Sequence, residues 1–318
     1  MDIPDVAAAS PTPWFSDAAH QRAKQLLGAA SGSLLAWPQT TAGHWFDRIE
    51  LEDIARALLS EECRLLALLG PPGSGKSALL GRLGAQLARE GHVLLALKAD
   101  LLPAHVASIR ELDAWLDAPE SLPVILERLA VEGPVTVLID QIDALSELMD
   151  AHTERLFALI ALIDRVLLSP RVNVVISCRE FDAQHDLRLR NLIENDRTRK
   201  LKLSDIDWKS VEQFLRNKGF QPEMWPDAVR RILCRPNALK LFVKHFQPDA
   251  GRPVFDSYQS MLEQVLQESV IRRFSARALT ALYAMANELA SREELWVPRA
   301  VFEELFQEEI HQLQAAGW

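Results

Sequence analysis

The sequence predicts an α/β protein: a parallel sheet covered by helices on both faces, followed by a helical region. Three observations predict it. Short apolar runs alternate with amphipathic helical segments; each run is bounded by glycine, proline or charged residues; and strand signals stop at about Ser204. Alternation of this kind feeds each strand into a covering helix and returns the chain to the same sheet. The 318 residues predict two or three domains, and 48% hydrophobic with 25% charged residues is an ordinary balance able to fill a core.

Met1 to Pro13 reads as a loosely docked or disordered leader rich in Ala, Pro and Ser. Ser16 or Asp17 then caps a short helix ending near Gly28. A turn leads to a helix over about Glu50 to Ser60, and "RLLALLG" is a buried strand stopped by Gly70. Ser77 to Glu90 has helical periodicity, and "HVLLALKAD" is the second strand. Helical spacing from Leu112 to Leu129 is interrupted near Pro119 and Pro123; "PVTVLIDQIDAL" supplies the third strand. His152 to Leu168 carries Leu156, Leu159, Ile160 and Ile163 on one stripe. "RVNVVISCRE" is the fourth strand and "RKLKLSDID" contains a short fifth. Beyond Ser204 come helices at Trp208 to Asn217, at Trp225 to Leu233, within "RPNALKLFVKHF", and from Tyr258 to about Phe274; the remainder reads as helix, loop, helix, helix. The organisation expected is 1–44 leader and short helix, 45–203 nucleotide-binding domain, 204–250 helical lid and 251–318 a further helical domain.

A net charge of −9 argues against a surface that coats nucleic acid. No stretch is apolar and uncharged for long enough to cross a bilayer. The N-terminus also lacks a secretion signal's basic flank and apolar run, so the expected location is the cytoplasm. Cys63, Cys178 and Cys234 lie far apart beside apolar residues, which suits buried free thiols better than a metal site.

The chemistry concentrates in "LLGPPGSGKSALL". Gly70, Gly75, Lys76 and Ser77 fill the pattern G-x-x-x-x-G-K-S between an apolar strand and a helix, the context the motif requires. Its glycines let backbone N–H groups turn toward phosphate oxygens at the positive end of the next helix. The candidate ATP- or ADP-binding set is Gly70, Pro71, Pro72, Gly73, Ser74, Gly75, Lys76, Ser77 and Ala78. Lys76 would reach the β and γ phosphates, and Ser77 would ligate Mg2+.

"VTVLIDQIDAL" sets Asp140 at the carboxyl end of a buried strand, where a carboxylate needs a cation and Mg2+ held through water is the natural one. Asp143 has two readings, a share in the site or an N-cap. Gln141 stands where many ATPases of this architecture have Glu; it can hold a water but cannot take its proton, so hydrolysis is expected to be slow unless Asp143 compensates. In "VVISCRE", Ser177 would orient the water or contact the γ phosphate, and Cys178 would face the core. Arg179 has three readings: pairing with phosphate oxygens, with an acidic group of a neighbouring domain, or in a surface salt bridge.

Together "GPPGSGKS", "VLIDQIDAL" and "VVISCRE" resemble the STAND NTPases, the AAA+-related signalling class that includes NACHT and NB-ARC proteins. The resemblance implies a strand order of 5-1-4-3-2, which sets Ser177 and Arg179 beside the phosphates. It makes Pro236 of "CRPNALKLF" a candidate contact to base and ribose, although a proline there also simply opens a helix. It makes "HWFDRIELEDI" the segment lining the adenine side, with Arg48 preceded by Asp47 where the family has Gly. It also implies that "ALTALYAMANELASREELWVP…LQAAGW" holds the opening helices of a winged-helix domain and stops before the wing strands. Members of the class hold ADP in a closed monomer, exchange it for ATP and self-associate, with roles from antiviral defence to programmed cell death and transcriptional control. The sensor or effector is expected outside this chain. The rivals are an AAA+ remodelling or origin-binding ATPase, with faster turnover, and a nucleotide-stabilised scaffold with none.

Overall fold

The computed structural model describes residues 17–58, 63–146, 154–248, 253–266, 274, 276–292 and 306–312. The expected leader over 1–13 and the Ser16 cap lie outside the described residues. The chain divides into two compact units, the first comprising Met1–Thr40 and Trp45–Asp205, the second Thr41–His44 and Ile206–Trp318.

The first unit contains helices α1 (Asp17–Leu35) and α2 (Ile49–Leu58), strand β1 (Leu65–Leu69), α3 (Lys76–Arg89), β2 (Val93–Lys98), α4 (Ile109–Trp115), α5 (Leu122–Glu132), β3 (Val135–Asp140), α6 (Glu154–Val166), β4 (Val172–Cys178), α7 (Glu180–His185), α8 (Leu187–Ile193) and β5 (Thr198–Lys202). All the strand pairings are parallel, in the order β2-β3-β4-β1-β5, which is the 5-1-4-3-2 order that the resemblance implied. Side chains alternate across a strand, and here both faces are buried. Leu65, Ala67, Leu95, Val137, Ile139, Val174 and Ile176 face one core, with α4, α5, α6 and α8 packed over it. Leu66, Leu68, Leu94, Ala96, Leu138 and Val175 face the other, covered by α2 and α3.

Helix α1 is longer than expected and runs through Gly28 to Leu35. Ala23, Leu27, Ser31 and Leu34 form a buried stripe, while Gly28 and Gly32 lie on the exposed side. Burial of that stripe outweighs the cost of helical glycine, about 1 kcal/mol each. Ala23 and Leu27 belong to one core and Leu34 to the other, so α1 straddles the outer edge of β2. Ser31 completes the cover: its hydroxyl accepts the Ala96 N–H of β2 at 2.8 Å and donates to the Leu27 carbonyl at 2.7 Å.

The second unit contains α9 (Trp208–Asn217), α10 (Asp227–Leu233), α11 (Pro236–His245), α12 (Tyr258–Leu266) and α13 (Ala276–Arg292). Phe242 is its buried hub, with ring centroids of Phe220, Trp225 and Phe246 at 5.2, 5.4 and 4.6 Å and Phe255 at 6.1 Å. Residues 293–305 and 313–318, on which the winged-helix expectation also rests, lie outside the described residues. Among the described residues no helix is long and apolar enough to cross a membrane. Cys178 is buried as expected; Cys63 and Cys234 are partly exposed, and all three are free thiols.

Candidate functional site

The predicted phosphate-loop, Asp140, Gln141, Asp143, Ser177 and Arg179 residues lie at the carboxyl ends of β1, β3 and β4. The loop Gly70–Gly75 leaves β1 and enters α3 with Gly73 at φ 75° and Gly75 at φ 98°, a left-handed region in which L side chains are strained. Gly75 is the N-cap of α3 and offers no side-chain cap, leaving the helix's first amides without a capping side chain, the arrangement that takes an anion. Lys76 is buried and folds back, its Nζ donating to the Gly70 carbonyl at 2.7 Å and the Pro71 carbonyl at 3.1 Å. Burial lowers its pKa, an effect partly offset by the nearby Asp143. Ser74 is buried at 1% exposure and its Oγ has no hydrogen-bond partner. An ammonium held only by carbonyl dipoles beside an orphaned hydroxyl is a donor set fitted to phosphate oxygens. Pro71, Ser77 and Ala78 are partly exposed, and Pro72 and Gly73 are exposed.

Arg48 grips this loop from outside. Its guanidinium donates to the Ser74 carbonyl and the Ser204 carbonyl, each at 2.8 Å, and Glu50 accepts the Ser204 N–H at 2.8 Å. Arg48 therefore ties the loop to the segment leaving β5. The sequence expectation put it on the adenine side, and Glu50 was missed. An acid in the first turn of an amphipathic helix was the available signal.

Asp140 and Ser177 end β3 and β4 side by side. Ser177 is fully buried; its hydroxyl donates to Asp140 Oδ1 at 2.6 Å and accepts the Gln141 N–H at 2.8 Å. Its single proton goes to Asp140, so it fixes the carboxylate, which differs from the expected contact with water or γ phosphate. Gln141 has φ 57° and ψ 45°, a left-handed conformation rare outside glycine and costing roughly 1–2 kcal/mol.

Asp140 already has a cation, which the sequence reading missed. Lys98 ends β2 in register with Asp140, and its Nζ lies 3.2 Å from Asp140 Oδ2. It also pairs with Asp100 at 3.3 Å and sits 4.2 Å from the centroid of the Trp37 ring. A lysine closing an otherwise apolar strand was the legible signal.

Asp143 is 1% exposed and accepts the Arg179 N–H at 3.1 Å and its Nε at 3.0 Å. Among the three readings of Arg179, an ion pair is therefore the observed one, made with a buried partner in its own unit. Asp143 does not serve as an N-cap, the position before the short 142–145 turn being Gln141. Burial raises the Asp143 carboxyl, with Arg179 and Lys76 opposing. Burial likewise pushes the Cys178 thiol up and keeps it protonated. Pro236 opens α11 at its first turn, after Arg235, in the second unit.

Among the described residues no group of three or more His, Cys, Asp or Glu side chains is arranged to hold a metal. Mg2+ commonly takes one or two protein oxygens and completes its shell with phosphate and water, so Ser77 and Asp140 fit it together with a nucleotide.

A five-stranded parallel sheet with the phosphate loop after the inner strand β1 and an acid on the strand two positions away define an α/β P-loop NTPase fold. A family model described as Novel STAND NTPase 1 matches residues 32–218, more than half of the chain, and the chain belongs to that family. Solved structures similar to it include the Walker-type ATPase PABY2304 of Pyrococcus abyssi, with TM-score 0.49 and 17% identity over 90% of this chain and 94% of that one. AMPPCP-bound DnaA from Aquifex aeolicus has TM-score 0.41 and 11% identity over 84% and 78%. A DNA replication initiation factor has TM-score 0.35 and 11% identity over 72% and 60%. No curated protein matches the chain.

Proposed function

We propose that this chain is an ATP- or ADP-binding signalling module, a slow-hydrolysing conformational switch that controls self-association. The observation that carries the reading is the buried Lys76 ammonium, held by loop carbonyls at the uncapped start of α3 beside the orphaned Ser74 hydroxyl. Gly70 to Gly75 would wrap the phosphates, Lys76 would neutralise the β and γ groups, Ser77 would ligate Mg2+ and Asp140 would hold it through water. Mg2+, when bound, supplies the charge that draws electron density to the leaving phosphate. Gln141 can orient a water but not deprotonate it, and Asp143, the nearest carboxylate able to do so, is engaged by Arg179. Transfer of Arg179 to phosphate oxygens would free Asp143, which makes turnover conditional and slow. Pro236 is proposed to contact the base and ribose. The role served, from antiviral defence to regulation, depends on the sensor coupled to the module.

The same Gln141 and Asp143–Arg179 pair favour a second reading, a nucleotide-stabilised scaffold with no turnover. Titration calorimetry tests the shared premise. The parent chain is expected to bind ATP and ADP in the presence of Mg2+, and Lys76→Ala to lose most of that affinity. Equal affinities would end both readings.

A further inference from the structure

Resting on the nucleotide-binding reading, we propose that Lys98 is a tethered cation that takes the electrostatic place of a metal beside Asp140, so that nucleotide is held with little dependence on Mg2+. The parallel register of β2 and β3 sets Lys98 directly beside Asp140, with side chains 3% and 0% exposed. The amine is caged: Asp140 and Asp100 take it at 3.2 and 3.3 Å, and the Trp37 ring closes the third side at 4.2 Å. Both oxygens of Asp140 are engaged, Oδ2 by Lys98 and Oδ1 by Ser177.

Two consequences follow for a site meant to receive polyphosphate. A bare buried carboxylate facing phosphate oxygens repels them and normally requires a divalent cation between the two. Lys98 cancels the charge of Asp140 inside the protein and leaves the partly exposed Asp100 to solvent screening, so nucleotide entry without metal meets a weakened negative wall. The same positive charge opposes Mg2+, and the hydrogen bonds on both Asp140 oxygens take up acceptor capacity that direct contact with the ion would use, which favours contact through bridging water. Metal-free binding is strengthened and metal-linked binding weakened, which compresses the ratio between them. Because Trp37 lies two residues past the end of α1, that helix helps to hold the cage.

The test is a titration of the full chain with a fluorescent ATP analogue, in excess chelator and in saturating Mg2+. The parent dissociation constants should differ by less than about tenfold. Lys98→Met should widen the ratio by about tenfold, chiefly by weakening metal-free binding, as expected for a unit charge a few ångströms away. Lys98→Arg should stay near the parent. Asp140→Asn, which leaves the lysine opposed by Asp100 alone, should tighten metal-free binding; this variant decides the matter if Lys98→Met does not fold. A parent ratio of about a hundredfold or more, an unchanged ratio in Lys98→Met, or metal-free binding unchanged or weakened in Asp140→Asn overturns the proposal. A parent that binds no nucleotide in either condition overturns instead the reading on which it rests.

Discussion

Asp143 is subject to two opposing influences. Burial penalises its charged form, while Arg179 and Lys76 favour it, and burial dominates, so its carboxyl titrates above the ordinary value of 3.8. A carboxyl raised on folding contributes stability that is fully present below the unfolded value and is lost as pH rises through the folded one. Asp143→Asn removes that titration while its amide oxygen still accepts the Arg179 N–H. The variant should therefore gain stability relative to the parent as pH rises from about 4 toward neutrality, and thermal unfolding at a series of pH values checks it. A relative loss over the same range would mean that the Arg179 pair outweighs burial. At this scale the sequence was legible where a residue's type dictates its chemistry: Lys76, Ser77 and Asp140 stand out from their motif alone. Lys98 and Glu50 were missed because a lysine closing an apolar strand and an acid opening an amphipathic helix are weak signals without their partners, which lie 42 and 154 residues away and are revealed only by the fold.

Strands β1 to β4 were legible because burial on both faces leaves continuous apolar runs, whereas β5, at the sheet's other edge, is largely polar and exposed and overlaps the segment expected to hold it. The end of α1 was not legible, because Gly28 reads locally as a stop and only the edge at β2 explains why the helix continues. That edge makes an element-scale prediction. Strand β2 ends the sheet, and an uncovered edge presents unpaired N–H groups to other chains. Ser31 accepts one of them, from Ala96, in a site 1% exposed to solvent. Ser31→Ala would leave that N–H buried without a partner, a cost of about 1–3 kcal/mol. The urea midpoint should fall accordingly with an unchanged slope, and amide exchange at Ala96 should accelerate. Retention of the parent midpoint would show that water reaches the edge and that α1 covers it less tightly than the hydrogen bond suggests.

At the scale of the whole molecule the question is what nucleotide binding accomplishes. The fold class and the family were legible in three short motifs, whereas the division of the chain rests on long-range packing, with Phe255 joined to the Phe242 cluster from beyond the expected lid boundary at residue 250. A switch and a remodeller share this architecture and differ in rate. In the switch reading Gln141 lacks a proton acceptor and Asp143 is engaged by Arg179, so loss of general-base assistance should slow hydrolysis by roughly 10²–10⁴-fold relative to a working base. Single-turnover measurement at saturating ATP and Mg2+ should then give a parent rate far below about 10 per second, the middle of the range for enzymes. Gln141→Glu should raise it if the side chain reaches the water, and sedimentation should show larger species with a non-hydrolysable ATP analogue than with ADP. A parent rate near 10 per second would sink the switch in favour of a remodeller. A rate of zero in parent and Gln141→Glu alike, with no change of size between nucleotides, would leave the scaffold: Lys76 would then hold its phosphates as a structural ligand, and the Asp143–Arg179 pair would be a permanent brace between β3 and β4.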